Sequence, residues 1–337
     1  MARVTVGIPV YNGAPLIRES LECLRTQTFD DFVVLIGDNA SEDETAEICA
    51  DFAARDPRFI HIRRPENIGS LPNFTDLRRR AESELFMWRA YDDLSAPNFI
   101  ESLVGCFRDN DEVCLAVGDV VSHHLRKGET RRFRYRAPPS GPRIASILHQ
   151  LFSSHECWIY GLWRREAIGE IQDRVSSIYP HAWGWDHLCL LPLILDRKIA
   201  GTNETEFVQR VVHGTKAPTE TLARPSANAA PKPPYVDAAR QGLPALGQRI
   251  WRPTKGVDLQ AELWKTRALT GTRGQFDKSV RAEVGRRTWT LPERAALAVA
   301  LPRYVDLRGY SRLKLWRRRV REQLSEWTAK PDAGGAV

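Results

Sequence analysis

Along the first 120 residues, the apolar positions switch repeatedly between the period of a strand and the period of a helix, with polar turns between. Val4, Val6, Ile8 and Val10 interleave with Thr5, Gly7 and Pro9, which predicts a strand. Asn12-Gly13 then turns the chain, Pro15 suits the first turn of a helix, and Ile17, Leu21 and Leu24 follow at helical spacing. Phe32 to Ile36 is a continuous apolar run, as expected of a strand covered on both faces. Ser41-Glu42-Asp43-Glu44 has the form of a capping box ahead of a helix that carries Ile48 and Phe52 on one face. Phe59 to Ile62 predicts a third strand, Ser70 to Ala81 a third helix and Leu85 to Trp88 a fourth strand. Pro97 to Phe107 predicts a fourth helix, and Val113 to Val117 a fifth strand. Strands alternating with helices in this way build βαβ units, so the fold class is α/β with a mostly parallel sheet flanked by helices.

In such sheets ligands bind beyond the carboxyl ends of the strands. The fourth strand runs directly into Ala90-Tyr91-Asp92-Asp93-Leu94. Two adjacent acids there repel one another unless a cation or a donor-rich ligand shares the site. A hard divalent ion holding a diphosphate is such a partner. The plainer alternative is that Asp92 and Asp93 solvate a loop or cap the helix that Pro97 opens. No G-x-G-x-x-G follows the first strand, and no G-x-x-x-x-G-K-[ST] occurs anywhere, which disfavours a dinucleotide dehydrogenase and a P-loop enzyme. The strands end instead in Pro9-Val10-Tyr11-Asn12-Gly13, in Gly37-Asp38-Asn39-Ala40-Ser41 and in Asn67-Ile68-Gly69. These polar turns fall at one edge of the sheet. There Asp38 could accept from a base N–H, the turn amides could donate to ribose or phosphate, and Asp92 could hold a metal.

Together with Gln27-Thr28-Phe29 and Tyr91-Asp92-Asp93, these pieces resemble a family 2 glycosyltransferase of the nucleotide-diphospho-sugar transferase (GT-A) superfamily. The resemblance is strong to about Val117, looser to His213 and absent from the last third. It implies a GT-A type, Rossmann-like sheet, and the residues beyond it read as a helical C-terminal extension. It also implies inverting transfer of a sugar from a UDP- or GDP-sugar donor to the hydroxyl of a glycan or lipid-linked acceptor, in cell-surface polysaccharide or glycoconjugate assembly, with Mg²⁺ or Mn²⁺ as cofactor. The donor site it implies comprises Pro9, Tyr11, Asn12, Asp38, Asn67, Gly69, Asp92 and Asp93. The metal ligands would be Asp92 and His213, which ends a strand predicted from Glu206 to Val212. The catalytic base would be Asp186, which opens a helix through Leu188, Leu191 and Leu195; the residues alone weigh a helix cap and a base evenly. Trp163, Trp183 and Trp185 are the expected acceptor-binding residues, and Gly161-Leu162-Trp163-Arg164-Arg165 matches the family's loop beside the acceptor. Position 90 departs from the pattern, with Ala where the metal motif usually has an acid. A nucleotide-sugar-binding module without turnover therefore stands as the alternative.

Composition adds three expectations. The six cysteines form no C-x-x-C, which suits free thiols in a reducing cytoplasm. Neither a signal peptide nor an apolar run of bilayer length is read, so the expected location is cytoplasmic. The net charge of +7 and pI near 9.2 come without a recognition motif, and no nucleic-acid partner is expected. Arg131, Arg132, Arg134 and Arg136 interleave with Phe133 and Tyr135, which predicts a half-exposed hairpin strand. Those arginines either form a solvated face or reach a diphosphate or anionic acceptor.

The domain reading places the catalytic domain at 1–216, with a nucleotide-sugar half at 1–120 and an acceptor half at 121–216. A linker or arm at 217–234, a helical region at 235–330 and a disordered end at 331–337 follow. From Arg303 to Lys330 there are nine Lys/Arg against three Asp/Glu, and Leu313, Trp316, Val320, Leu324 and Trp327 share one helical face. That tail is read either as a docked helix or as an interfacial helix on an anionic membrane, peripheral at its inner face.

Overall fold

The computed structural model describes residues 2–108, 110–125, 128–179, 181, 184–211 and 274–305. The predicted α/β alternation is present as β1 (Val4–Val10), α1 (Ala14–Arg25), β2 (Phe32–Asp38), α2 (Thr45–Arg55), β3 (Phe59–Arg63), α3 (Ser70–Arg80) and β4 (Leu85–Trp88). A two-residue strand β5 (Leu94–Ser95), α4 (Phe99–Gly105), β6 (Leu115–His124) and β7 (Glu129–Phe133) continue the chain. Then come α5 (Arg143–Ser153), a 3₁₀ turn (Glu156–Tyr160), β8 (Leu162–Arg164), α6 (Arg165–Ile178), α7 (Trp185–Asp196) and β9 (Ile199–Val211). Two further helices, α8 over 274–285 and α9 over 291–305, belong to the same compact unit.

Among the described residues the strands form one nine-stranded sheet in the order β3-β2-β1-β4-β8-β6-β9-β5, with β7 paired to β6. The β3-β2-β1-β4 half is parallel throughout. Because β2 and β4 leave β1 on opposite sides, the carboxyl end of β1 is a topological switch point where a crevice opens. The register sets its depth. Val10 aligns with Asp38, whereas β4 stops opposite Gly7, and Arg89 N donates to Gly7 O at 3.0 Å. Residues 89–93 therefore fill the space beside the overhanging end of β1.

Several elements differ from expectation, each for a physical reason. Alternation in β1 predicts one exposed face, yet all seven of its residues are buried, because neighbouring strands and helices enclose it. Thr5 is satisfied there by Ser83 Oγ at 2.7 Å. α2 begins at Thr45 rather than behind Ser41. The Ser41 hydroxyl accepts from Asn12 N (3.0 Å), while Asp43 accepts from Thr45 N (3.0 Å). Gly161–Arg165 is not a loop: it supplies β8, an antiparallel strand between β4 and β6. All of β7 is exposed, and Arg132 reaches across to Glu206 on β9, so that arginine is engaged within the sheet. Among the described residues no helix is long and apolar enough to cross a membrane.

The helical pair α8–α9 packs on α6 and α7. Phe276 is buried against Tyr179, with ring centroids 6.1 Å apart in an edge-on arrangement. Arg287 bonds both carboxylate oxygens of Asp196, at 2.6 and 2.7 Å, and also the carbonyl of Pro192. Arg143 lies over the Trp289 ring at 4.5 Å.

Candidate active site

Three turns at the carboxyl ends of β1, β2 and β3 are bonded into one rim. Asn12 Oδ1 accepts from Glu42 N (2.9 Å), Gly13 N donates to Thr45 Oγ1 (2.8 Å) and Ala14 N to Asp43 (3.1 Å). Asn39 bridges onward: its Nδ2 donates to Asn67 Oδ1 (2.7 Å), and its Oδ1 accepts from Ile68 N (3.0 Å). Asn12 and Ala40 hold positive φ, of 51° and 61°, to make these turns. Gly13 is required by close approach, since a Cβ there would lie 2.6 Å from the Tyr91 ring. Tyr91 thereby docks the turn after β4 onto the turn after β1.

The Asp38 carboxylate lies beneath this rim. It is wholly buried, with Oδ1 accepting from Ser41 N (2.9 Å) and Oδ2 facing His61 Nε2 at 3.5 Å. Burial by itself raises its pKa, but the contacts with His61 and Ser41 outweigh this and hold the carboxyl below its ordinary range.

The two acids after β4 face different ways. Asp93 is buried and its Oδ1 accepts from Arg210 N at 2.8 Å. Burial, with the charge of Asp92 next, pushes its pKa up to about 7. Asp92 is only partly buried, and burial raises its pKa as well. Two arginines back the turn. Arg210, near the end of β9, donates its Nε to the Asp92 carbonyl, Nη1 to Glu19 (2.5 Å) and Nη2 to the Leu16 carbonyl (3.1 Å). Arg89 is wholly buried between the Phe99 and Phe207 rings, and its Nη2 donates to Ser95 Oγ at 2.7 Å.

Asp186 stands in the first turn of α7, partly buried, and accepts from His187 N at 2.8 Å. Gly184 precedes it at φ 74°, and a Cβ at that position would lie 3.0 Å from the Phe276 ring. Tyr160 is stacked on Phe207 with centroids 5.2 Å apart. Its phenol is held well above its ordinary pKa, first by burial and then by the charges of Asp93, Cys157, Asp92 and Asp186. The acids of the turn after β4 and Asp186, more than 90 positions apart in sequence, thus share Tyr160 as a neighbour.

Residues 5–171 match Glycosyl transferase family 2. This segment belongs to that family. An uncharacterized glycosyltransferase of Rickettsia typhi is 30% identical over 160 residues, covering 46% of this chain and 48% of the relative. Glycosyltransferase GlyG of Streptococcus pneumoniae is 27% identical over 109 residues, covering 32% of this chain and 36% of the relative. The chain spans about half the length, or less, of these relatives. Among solved structures, S. aureus TarS 1-349 in complex with UDP-GlcNAc is 14% identical with a TM-score of 0.48, covering 63% of this chain and 59% of that one. The mannosyltransferase PcManGT from Pyrobaculum calidifontis, in complex with GDP-Man and Mn²⁺, is 18% identical with a TM-score of 0.44, covering 94% and 83%.

The family 2 segment holds every residue expected at the donor site, from Pro9 to Asp93, but stops short of Asp186 and Arg210. Pro9 is a buried strand residue, Tyr11 is partly exposed beside the crevice and Gly69 opens α3 at φ 89°. Asn12 and Asn67, expected to touch the donor, give their side-chain oxygens to the rim. Asp38 is enclosed, and Asp93 points inward to β9. Of the two adjacent acids, Asp93 is buried and Asp92 is partly exposed.

Two of the acceptor-site expectations are corrected. Trp163 is wholly buried in the middle of β8, opposite Phe86 and Leu115, with its Nε1 donating to the Ile159 carbonyl at 3.0 Å. A side chain between two neighbouring strands of a covered sheet is core. Trp185 is likewise buried among core residues. Arg164 and Arg165 bond Glu84 and Ser83, which precede β4 and so lie at the opposite edge of the sheet from the site. Trp183 and His213 lie outside the described residues.

Sequence reasoning missed Arg210, Arg89 and Tyr160. The one available signal was charge inside otherwise apolar strand ends: a buried arginine must find partners, and acids are the usual ones.

Proposed function

We propose that the chain is an inverting glycosyltransferase that moves a sugar from a UDP- or GDP-sugar to the hydroxyl of a glycan or lipid-linked acceptor. The observation that carries this reading is the set of bonded polar turns at the β1 switch point, with the partly exposed Asp92 beside them and the partly exposed Asp186 sharing Tyr160 as a neighbour. The nucleotide lies along the rim, beside Tyr11 and the turn amides, and the diphosphate reaches toward Asp92. The chemistry of Asp92 fits a divalent ion, since it is a partly exposed hard oxygen donor of the kind that would hold Mg²⁺ or Mn²⁺ together with a diphosphate. Among the described residues no three His, Cys, Asp or Glu side chains converge, so Asp92 would hold the ion together with the diphosphate and, in the sequence reading, His213. The ion would supply charge neutralisation of the departing diphosphate.

In the chemical step the Asp186 carboxylate takes the proton of the acceptor hydroxyl. The acceptor oxygen bonds the anomeric carbon as the bond from that carbon to the diphosphate oxygen breaks. Attack from the face opposite the leaving group inverts the centre, through an oxocarbenium-like transition state. The chain itself orients the base from α7 and shields the centre with Tyr160 and Phe207.

The test pairs a nucleotide-sugar hydrolysis and transfer screen with Asp186→Asn. The amide keeps the size and the bond from His187 N, so folding and donor binding are expected to persist while turnover falls by ~100-fold or more. Turnover close to wild type in this variant would remove Asp186 as the base. Donor binding without any turnover in the wild type would select the binding-module alternative.

A further inference from the structure

Arg210 bonds both the Asp92–Asp93 turn and α1. It is 7% exposed, and its four donor groups each meet a different acceptor. The backbone N–H holds the Asp93 carboxylate and the Nε holds the Asp92 carbonyl. The two terminal nitrogens reach the Leu16 carbonyl and the Glu19 carboxylate, both on α1. α1 starts immediately after the Tyr11–Gly13 turn. One side chain therefore ties the turn that carries Asp92 to the helix that follows the donor turn.

We propose that Arg210 is a positioning residue that locks the Asp92–Asp93 turn, so that Asp92 presents its carboxylate to a cation-bound diphosphate. The proposal rests on the nucleotide-sugar reading above. With Asp93 drawn inward by the Arg210 amide and the Asp92 carbonyl gripped from below, the Asp92 side chain is left on the crevice side. Loss of the guanidinium releases that carbonyl. Arg89 then remains as a buried cation near Asp93; among the described residues its Nε and Nη1 have no hydrogen-bond partner, so the turn can shift inward toward it. A lysine does not replace the fork. Its single ammonium cannot span acceptors on Asp92, Leu16 and Glu19 in three directions. Glu19 offers a gentler perturbation, because its side chain is 64% exposed and belongs to α1 rather than to the acidic turn.

The experiment is calorimetric titration of UDP and of GDP into the full chain, with Mn²⁺ and with EDTA. The proteins compared are wild type, Arg210→Lys, Glu19→Gln and Asp92→Asn. The expected result is loss of the Mn²⁺-dependent gain in affinity in Asp92→Asn. That gain should fall by about 10-fold in Arg210→Lys and by about 3-fold in Glu19→Gln, with affinity in EDTA held within about 2-fold. A purely structural role would lower both affinities together. A folded Arg210→Lys with the wild-type Mn²⁺-dependent gain overturns the proposal, and so does an unaffected Glu19→Gln, which decides alone if Arg210→Lys does not fold. Wild-type protein that binds neither nucleotide under either condition overturns the nucleotide-sugar reading itself.

Discussion

Asp93 titrates in a range where its cost to the fold can be measured. Its carboxyl is raised from the ordinary 3.8 to about 7, by burial first and by Asp92 second. Between those values the folded protein keeps a proton that the unfolded chain has released. The unfolded state binds fewer protons there, so stability falls as pH rises from ~4 through ~7 and then levels off. Every tenfold change in proton affinity between the two states is worth about 1.4 kcal/mol, so the rise from 3.8 to about 7 sets a ceiling of ~4 kcal/mol at pH 8. Asp93→Asn keeps an oxygen for Arg210 N and carries no charge. The variant is therefore expected to match wild type near pH 4 and to exceed it increasingly up to pH 8, by ~2–4 kcal/mol.

Urea denaturation at half-unit pH steps from about 4 to 8.5, in EDTA, measures this directly. Titrations of groups away from this turn cancel in the difference between the two proteins, and only the neighbouring Asp92 is coupled to the change. In thermal terms the gap at pH 8 is on the order of 10 °C for a domain of this size. Parallel stability–pH profiles for wild type and Asp93→Asn would refute the reasoning. They would mean that the buried carboxylate is ionised throughout, with Arg210 and Arg89 neutralising it fully.

Three further outcomes are expected. Trp163→Phe removes the bond to the Ile159 carbonyl and part of the β8 packing, so it should cost ~1–3 kcal/mol in denaturation while acceptor KM stays unchanged; a raised acceptor KM at unaltered stability would return Trp163 to the site. Gly184→Ala forces a side chain into the left-handed region and against Phe276, so it should cost ~1–2 kcal/mol and lower kcat with donor affinity retained; wild-type kcat would show that Asp186 does not depend on this packing. The basic tail from 306 onward lies outside the described residues, but Leu291 and Val299 on α9, just ahead of it, are 81% and 65% exposed. Co-sedimentation with anionic but not neutral vesicles is expected, and it should be lost on truncation after Pro302; binding that ignores lipid charge or survives truncation would discard the interfacial helix.

The sheet was legible wherever a strand was long enough to show a period. β1 to β4 and the helices between them fall within a few residues of the positions read from apolar spacing. β5 and β8 were invisible because two or three residues carry no period, and β8 takes its place from pairing with β4 and β6. β9 was expected from Glu206 but starts at Ile199. Its first residues, Ile199–Gly201, pair with Leu115–Val117 of β6, and Thr202-Asn203-Glu204, which look like a turn locally, fall in the register shift before pairing resumes at Glu206. Tertiary partners overrode local preference in each case.

The site was legible in its chemistry and much less in its orientation. Polar turns at strand ends, and acids after β4, can be found by reading, because residue type and order along the chain are enough. Which carboxylate faces the crevice cannot. Asp92 and Asp93 are chemically identical neighbours, and what separates them is an arginine more than a hundred residues away whose amide draws one of them inward. The same holds for the tryptophans. Trp163 and Trp185 suit a sugar face by type, yet strand pairing and helix packing place both in the core. A motif therefore identifies the neighbourhood of the reaction, while the buried cations and the antiparallel strands decide which of its side chains reach the crevice. Variants at Arg210 and Asp93 probe that second layer, which substitution of Asp92 alone would leave unexamined.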